Sequence, residues 1–93
     1  MRLLPPTPRA LTHPLLNLEA FVDAGRGQVT IGQIKPIHCA AMAAQGKKIW
    51  VALVRRGDES VVDLLERLDA ALGKAQDDDV PVDEVSPLLK LKR

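Results

Sequence analysis

The chain has 93 residues, of which 46% are hydrophobic and 27% are charged, which is ordinary usage for a single globular domain. Cys39 is the one cysteine, which excludes an intramolecular disulfide and a cysteine-rich zinc site, and we expect a reducing cytoplasm as the compartment. The net charge of +1 hides an asymmetry, because residues 1–56 carry +6 and residues 57–87 carry −8. A chain divided in this way can present a basic face and an acidic face.

The start of the chain is rich in proline. Four prolines fall within residues 1–14 and predict a flexible, Pro-rich arm. They also interrupt the apolar start, so we expect no signal peptide. The longest later apolar run, residues 49–54, is far shorter than the roughly 20 residues that cross a bilayer, so we expect no membrane contact. We assign residues 15–87 to a single α+β domain and residues 88–93 to a short, basic, mobile tail.

Two short elements are predicted before the middle of the chain. Apolar residues recur at spacings of three and four over residues 15–24, which predicts a short helix that ends at Gly25. Residues 28–34 alternate between polar and apolar side chains, which predicts a half-buried strand. Because Pro36 follows and cannot donate to a ladder, we expect this strand at a sheet edge.

The segment over residues 37–46 has two interpretations. Its four alanines favour a helix by propensity, whereas its position before the glycine turn at residues 45–47 favours a hairpin. We favour the hairpin, because residues 48–55 form the clearest strand pattern in the chain. Side chains of that strand should alternate between its faces, with Ile49, Val51 and Leu53 on one and Trp50, Ala52 and Val54 on the other.

The most regular apolar pattern lies over residues 59–76, where leucine, valine and alanine recur at helical spacings. Ser60 can cap this helix, and Asp63 follows three residues later, as in a capping box. A glycine, Gly73, should weaken the last turn and can end the helix early. The charged residues of the segment, Arg67 and Asp69 among them, are expected on the solvent side.

An acidic run at residues 77–79 follows, and we expect it to be a solvated connector. Beyond it, Val80 and Val82 can add a short edge strand. Together the elements predict an α+β fold, in which a small antiparallel sheet of two to three strands is covered by one main amphipathic helix and a shorter N-terminal helix.

No set of catalytic or metal-binding residues converges in the sequence. His38 and Cys39 are the one pair that resembles a base and a nucleophile, but neighbours in a strand point to opposite faces. The two histidines and the cysteine do not have zinc-ligand spacing, and the acidic residues lack the pattern of a calcium loop. We therefore expect no enzyme activity, no metal and no cofactor.

Basic residues bracket the strand over residues 48–55: Lys47, Lys48, Arg55 and Arg56. Such residues can neutralise phosphates, so they are the candidate contact for a nucleic acid or a protein partner. The strand and helix over residues 48–72 also resemble the first half of the ribbon-helix-helix DNA-binding proteins, whose second helix is replaced here by the acidic run. The scarcity of aromatic residues argues against single-stranded ligands.

The sequence therefore predicts a non-catalytic, bacterial-type interaction or accessory protein that forms a homodimer or binds another protein. The run over residues 49–54 is apolar on both faces, and a second copy could cover the face that the helices leave open. Trp50 is then expected at the self-association contact. The alternative is a nucleic-acid-binding protein that uses the basic cluster around residues 47–56.

Overall fold

The computed structural model describes residues 14–91, which form three helices and four strands. In chain order the elements are α1 (Leu16–Asp23), β1 (Gly27–Ile34), β2 (Ile37–Gln45), β3 (Lys48–Val54), α2 (Val61–Asp78), β4 (Val82–Asp83) and α3 (Val85–Leu91). The α+β class is confirmed, but the sheet has four strands in the order β1-β2-β3-β4, and β4 runs parallel to β3. The short edge strand expected around Val82 is present as β4, but the prediction of two to three antiparallel strands and two helices did not include its parallel pairing and missed α3.

The predicted Pro-rich arm over residues 1–14 lies outside the described residues, apart from Pro14. Helix α3 runs from the predicted domain into the first four residues of the predicted tail, and residues 92–93 lie outside the described part. The division into arm, domain and tail stays a prediction. Within residues 14–91, none of the helices has the length and apolar composition that a membrane span requires.

Strands β1, β2 and β3 form an antiparallel meander. The hairpin interpretation of residues 37–46 is confirmed, because β2 pairs with β3 across a turn in which Gly46 has φ 59°. Glycine enters this left-handed region without the penalty that a Cβ brings. Ala41 and Ala43 are fully buried beneath the helices, and this burial outweighs the helix propensity of alanine. Among the strands that the structure describes, β1 pairs with β2 alone, which confirms its expected edge position.

Helix α2 begins at the predicted cap. Ser60 Oγ accepts a hydrogen bond from the Asp63 N–H at 3.0 Å, and Asp63 Oδ2 accepts one from the Ser60 N–H at 3.2 Å, which completes the capping box. The helix does not stop at Gly73. It ends at Asp79, which has φ 54° and whose N–H donates to the carbonyl of Ala75. The acidic run predicted as a connector is therefore the exposed end of α2.

Helices α1 and α2 cover one face of the sheet, and the largest fully buried side chains lie in this layer: Leu53, Leu64, Leu68, Leu72 and Val51. Asp69 on α2 accepts hydrogen bonds from the Leu18 N–H at 2.8 Å and from Asn17 Nδ2 at 3.2 Å. It therefore docks the first turn of α1, although the sequence placed it on the solvent side. Gly73 permits this close approach, because a Cβ there would lie 2.6 Å from Asn17 Nδ2.

The second face of the sheet has a smaller apolar cluster beside α3: Ile37, Ala40, Ala52 and Val85. The alternation predicted for β3 holds over residues 51–54 but fails at Ile49 and Trp50, because the pairing register shifts between Ala43, which opposes Val51, and Ala44, which opposes Ile49. Trp50 is the extra residue at this irregularity. It packs with Val51 against the helix-side core, whereas Ile49 lines a groove on the second face.

Candidate interaction surface

The structure separates the four basic residues that the sequence grouped. Lys47 and Lys48 lie at the start of β3, and Arg55 and Arg56 follow its end. Because β3 has seven residues, the two pairs lie about 20 Å apart. They form two pairs at opposite ends of the sheet rather than one cluster, and their role in partner contact stays a prediction.

Acidic residues accompany both basic pairs. Lys48 Nζ lies 3.4 Å from Asp79 Oδ1 at one end of the sheet. At the other end, the main-chain carbonyl of Glu59 accepts a hydrogen bond from Arg55 Nε at 2.8 Å, and its carboxylate accepts one from the Arg56 N–H at 3.1 Å. These neighbours reduce the positive field that either pair can present to a phosphate.

Trp50, which the sequence predicted at a self-association contact, is half-buried within its own chain. Lys48 Nζ lies 3.7 Å from the centroid of its ring, which is a cation–π contact. Its Nε1 donates a hydrogen bond to Gln45 Oε1 at 3.4 Å. A role for Trp50 in self-association stays a prediction, but the indole already has partners in the same chain.

A charge network that the sequence did not indicate joins α2 to the ends of β3 and β4. Arg67 donates to the Glu59 carboxylate through Nε at 2.8 Å and Nη2 at 3.0 Å, and to Glu84 Oε2 through Nη1 at 3.1 Å. Its Nη2 also donates to the Val54 carbonyl at 2.8 Å. The pKa of Glu59 is lowered and the pKa of Arg67 is raised, in both cases chiefly by the hydrogen bond between the two side chains.

Glu84 extends this network to the backbone of β3. Glu84 accepts a hydrogen bond from the Val54 N–H at 2.9 Å, and its own N–H donates to the Ala52 carbonyl at 2.7 Å. Arg67, expected on the solvent side of α2, is therefore half-buried between three elements. No short motif could have revealed this, because Glu59 and Glu84 lie 8 and 17 residues from Arg67 and meet it only in the folded chain.

Within residues 14–91, strand β1 has an edge that no other strand pairs with. It has eight residues, and none of them is charged or a proline. Natural sheets protect outer strands with lysine, proline or bulges, because their free N–H and C=O groups otherwise recruit another strand. β1 has one such feature, a register irregularity between Gly32 and Ile34. Its regular part, residues 27–32, remains open to a second strand.

An apolar groove of about 350 Å³ lies between α1 and β1, and its lining is Leu15, Leu18, Glu19, Val22 and Val29. Leu18 reaches from this groove into the core, whereas Leu15 and Val22 lie on the flank of α1 opposite Asn17, which contacts α2. Val22 is 49% exposed, and Ile31 on β1 is 37% exposed. Exposed apolar surface therefore continues from α1 onto the open strand.

A second groove, of about 290 Å³, lies between the second face of the sheet and α3. Ile34, Met42 and Ile49 form its wall on the sheet, and Val85 is its apolar residue on α3. Ile49 is 44% exposed, so α3 covers this face only in part. The sheet thus has two candidate interaction surfaces, one at the β1 edge and one on the second face.

The residues considered for catalysis do not converge in the structure. His38 is exposed, whereas Cys39, the next residue on β2, packs against the helix-side core. Within residues 14–91, no three histidine, cysteine, aspartate or glutamate side chains lie close enough together to hold a metal ion. The expected lack of enzyme activity stays a prediction.

Comparisons with known proteins identified no relative of this chain. No family model, no curated protein and no solved structure matches the chain.

Proposed function

We propose that the chain is a non-catalytic interaction protein that works as a homodimer. The observation that supports this proposal is that the described sheet is incomplete on two sides. The β1 edge has no partner strand, and α3 covers the second face only in part. Small chains bury a modest share of their surface, and association with a second copy is a common way to complete a core.

The charge of the chain is compatible with self-association. The net charge is +1, so two copies do not repel each other strongly at a distance. Both incomplete sides are also apolar, because Val22 and Ile31 lie beside the β1 edge and Ile49 lies on the second face. A closed pair with two-fold symmetry can cover such a surface with its own image.

Sedimentation equilibrium of the full chain, measured from the low to the high micromolar range, tests the proposal. We expect a mass that approaches twice the chain mass of 10.1 kDa as the concentration rises. A mass of one chain at every concentration would refute the homodimer.

The second candidate is nucleic-acid binding through Lys47, Lys48, Arg55 and Arg56. All four side chains are exposed, which favours this function. Against it stand the separation of the two pairs and the acidic neighbours at each end. A titration of labelled duplex DNA and duplex RNA at two salt concentrations separates this function from the first, because phosphate contacts weaken as salt rises.

The variant for that titration is the double substitution Lys47→Glu and Arg56→Glu, which reverses one exposed charge at each end of β3. We expect it to abolish any salt-dependent affinity of the wild type. Lys74→Glu, at an exposed lysine on α2, is the matched control and should retain the affinity. A wild type that binds neither duplex at low salt would remove this candidate.

A further inference from the structure

We infer that two copies of the chain join edge to edge through β1, in an antiparallel pair that extends the sheet from four strands to eight. This inference rests on the proposed homodimer and specifies its surface. It follows from four observations: the open strand, its register, the apolar flank of α1 and the charges at the two ends of β1.

The two edges of the sheet differ in their capacity to pair. β1 offers a regular stretch over residues 27–32 without charge or proline. At the other edge β4 has two residues, and the carboxylates of Asp83 and Glu84 lie at its end. An edge strand of two residues is too short to form a ladder along the regular part of β1 of another copy. Pairing of β1 with its own image is therefore favoured, and it closes the assembly at two copies.

The symmetry restricts the register of this pair. In an antiparallel pair, side chains that lie directly opposite each other are on the same face of the sheet, whereas neighbours along a strand are on opposite faces. A two-fold symmetric pair must therefore have its axis at one residue, which lies opposite the same residue of the second copy. An axis at Thr30 places Val29 opposite Ile31 of the second copy, on the helix-covered face. An axis at Val29 would instead place the exposed Ile31 opposite Gly27, which has no side chain to meet it. The first register buries more apolar surface, and we place the axis at Thr30.

The same axis brings the helix layers together. A rotation about an axis perpendicular to the sheet does not exchange its faces, so both α1 helices lie on the same side. Their flanks that carry Leu15 and Val22 then face each other above the Val29 and Ile31 pairs. A stable interface buries about 800 Å² on each partner, which a strand edge alone does not provide, so the helix flanks are a necessary part of the contact.

The charges at the ends of β1 fit an antiparallel pair. Lys35, just after β1, lies at the end of the interface where β1 of the second copy begins, close to the C-terminal end of α1 and Asp23. A cation there lies near the negative end of the helix dipole and a carboxylate.

Two matched isoleucine variants test the surface. Ile31 and Ile49 are exposed to 37% and 44%, and they lie on the β1 edge and on the second face respectively. Lysine on an outer strand opposes pairing, so Ile31→Lys should weaken the dimer at least about tenfold in sedimentation equilibrium. Ile49→Lys should leave the dissociation constant within about twofold of the wild type. Thermal unfolding of both variants verifies that each one is folded.

Cysteine cross-linking tests the register. Thr30→Cys, in a Cys39→Ala background, should form an intermolecular disulfide under mild oxidation, because opposed residues lie about 5 Å apart and a disulfide needs less than about 7 Å. His38→Cys in the same background is the control. It is also exposed, but it lies on β2 and far from the axis, so it should not cross-link.

The outcomes separate this inference from the proposed function. A wild type that is monomeric refutes both. A wild-type dimer that tolerates Ile31→Lys and loses affinity with Ile49→Lys refutes the β1 pair and leaves the homodimer standing. A dimer that depends on Ile31 but does not cross-link through Thr30→Cys refutes the register. A dimer that depends on Ile31 and cross-links at Thr30→Cys supports the inference in full.

Discussion

Arg67 connects three elements with one side chain. Its guanidinium reaches the Glu59 carboxylate before α2, the Glu84 carboxylate after β4 and the Val54 carbonyl at the end of β3. Arginine suits this position, because its planar group offers five donors in a fixed arrangement and stays charged. The side chain of Glu59 is 8% exposed, and the hydrogen bonds from Arg67 offset the desolvation of its carboxylate.

The first prediction concerns this arginine. Arg67→Met retains the apolar stem but removes the charge, and it should lower the free energy of unfolding by about 1–3 kcal/mol, because the Glu59 carboxylate loses its charged partner. Arg67→Lys restores the positive charge and should recover part of the lost stability. The recovery should be incomplete, since an ammonium group cannot reproduce the planar set of donors of the guanidinium group. Urea denaturation measures both effects. An unchanged midpoint for Arg67→Met would contradict the role given to the network.

The second prediction concerns pH. The pKa of Glu59 lies below its ordinary value of 4.5, so the folded chain binds this proton less readily than the unfolded chain. The stability that the carboxylate contributes is therefore complete above the ordinary pKa and is lost as the pH falls through the lowered pKa.

Between about pH 5 and pH 3, the free energy of unfolding should fall more steeply for the wild type than for Glu59→Gln. Denaturant titrations at several pH values measure this slope. In an Arg67→Met background, Glu59→Gln should change the slope much less, since the chief cause of the lowered pKa is gone. Equal slopes for wild type and Glu59→Gln would show that the pair does not control acid stability.

Helix α2 contributes most of the buried side chains of the helix layer, and its leucines differ in how deeply they are buried. Leu68 is fully buried, whereas Leu65 is half-buried at the margin of the core. Both fit the same apolar stripe, so the sequence pattern alone cannot distinguish them. Leu68→Ala should lower the free energy of unfolding by about 2–5 kcal/mol. Leu65→Ala should lower the free energy of unfolding by clearly less. Chemical denaturation measures both variants, and equal losses would contradict the described packing.

The start of α2 depends on the capping box. Ser60→Ala removes the acceptor for the Asp63 N–H and should lower stability by about 0.5–2 kcal/mol. Ser60→Thr keeps a hydroxyl at this position and is the matched control. A loss of equal size in both variants would mean that the hydroxyl is not what stabilises the helix start.

Local sequence patterns predicted the elements that are determined by interactions between residues close together in the chain. The capping box at Ser60, the strand over residues 28–34 and the turn at Gly46 all depend on residues close together in the chain, and each is confirmed. The burial of the strand alternates only as far as Thr30, because Ile31 is exposed. β4 and α3 were harder to predict, because both are short and β4 is fixed by pairing with a strand about 30 residues earlier. The irregularity at Trp50 also depends on the neighbouring strand, so the sequence of β3 predicted a simple alternation instead.

At the scale of the whole molecule, the sequence identified the basic residues but not their arrangement. Lys48 begins β3 and Arg55 follows its last residue, so the length of the strand places them at opposite ends of the sheet. The β1 edge was expected from Pro36, yet its role as an interaction surface depends on α1, whose Leu15 and Val22 lie beside it. That juxtaposition is tertiary and has no signature in the sequence.

In the proposed dimer of the whole molecule, the open edge of β1 is paired with β1 of the second copy. Amide hydrogen exchange measured at several protein concentrations tests it directly, because the outward N–H groups of β1 are protected only when a second strand is present. β3 has neighbours on both sides within its own chain and is the internal control. We predict that protection over residues 28–32 rises with concentration while that of β3 stays constant. Exchange in β1 that is fast and independent of concentration would contradict this pairing.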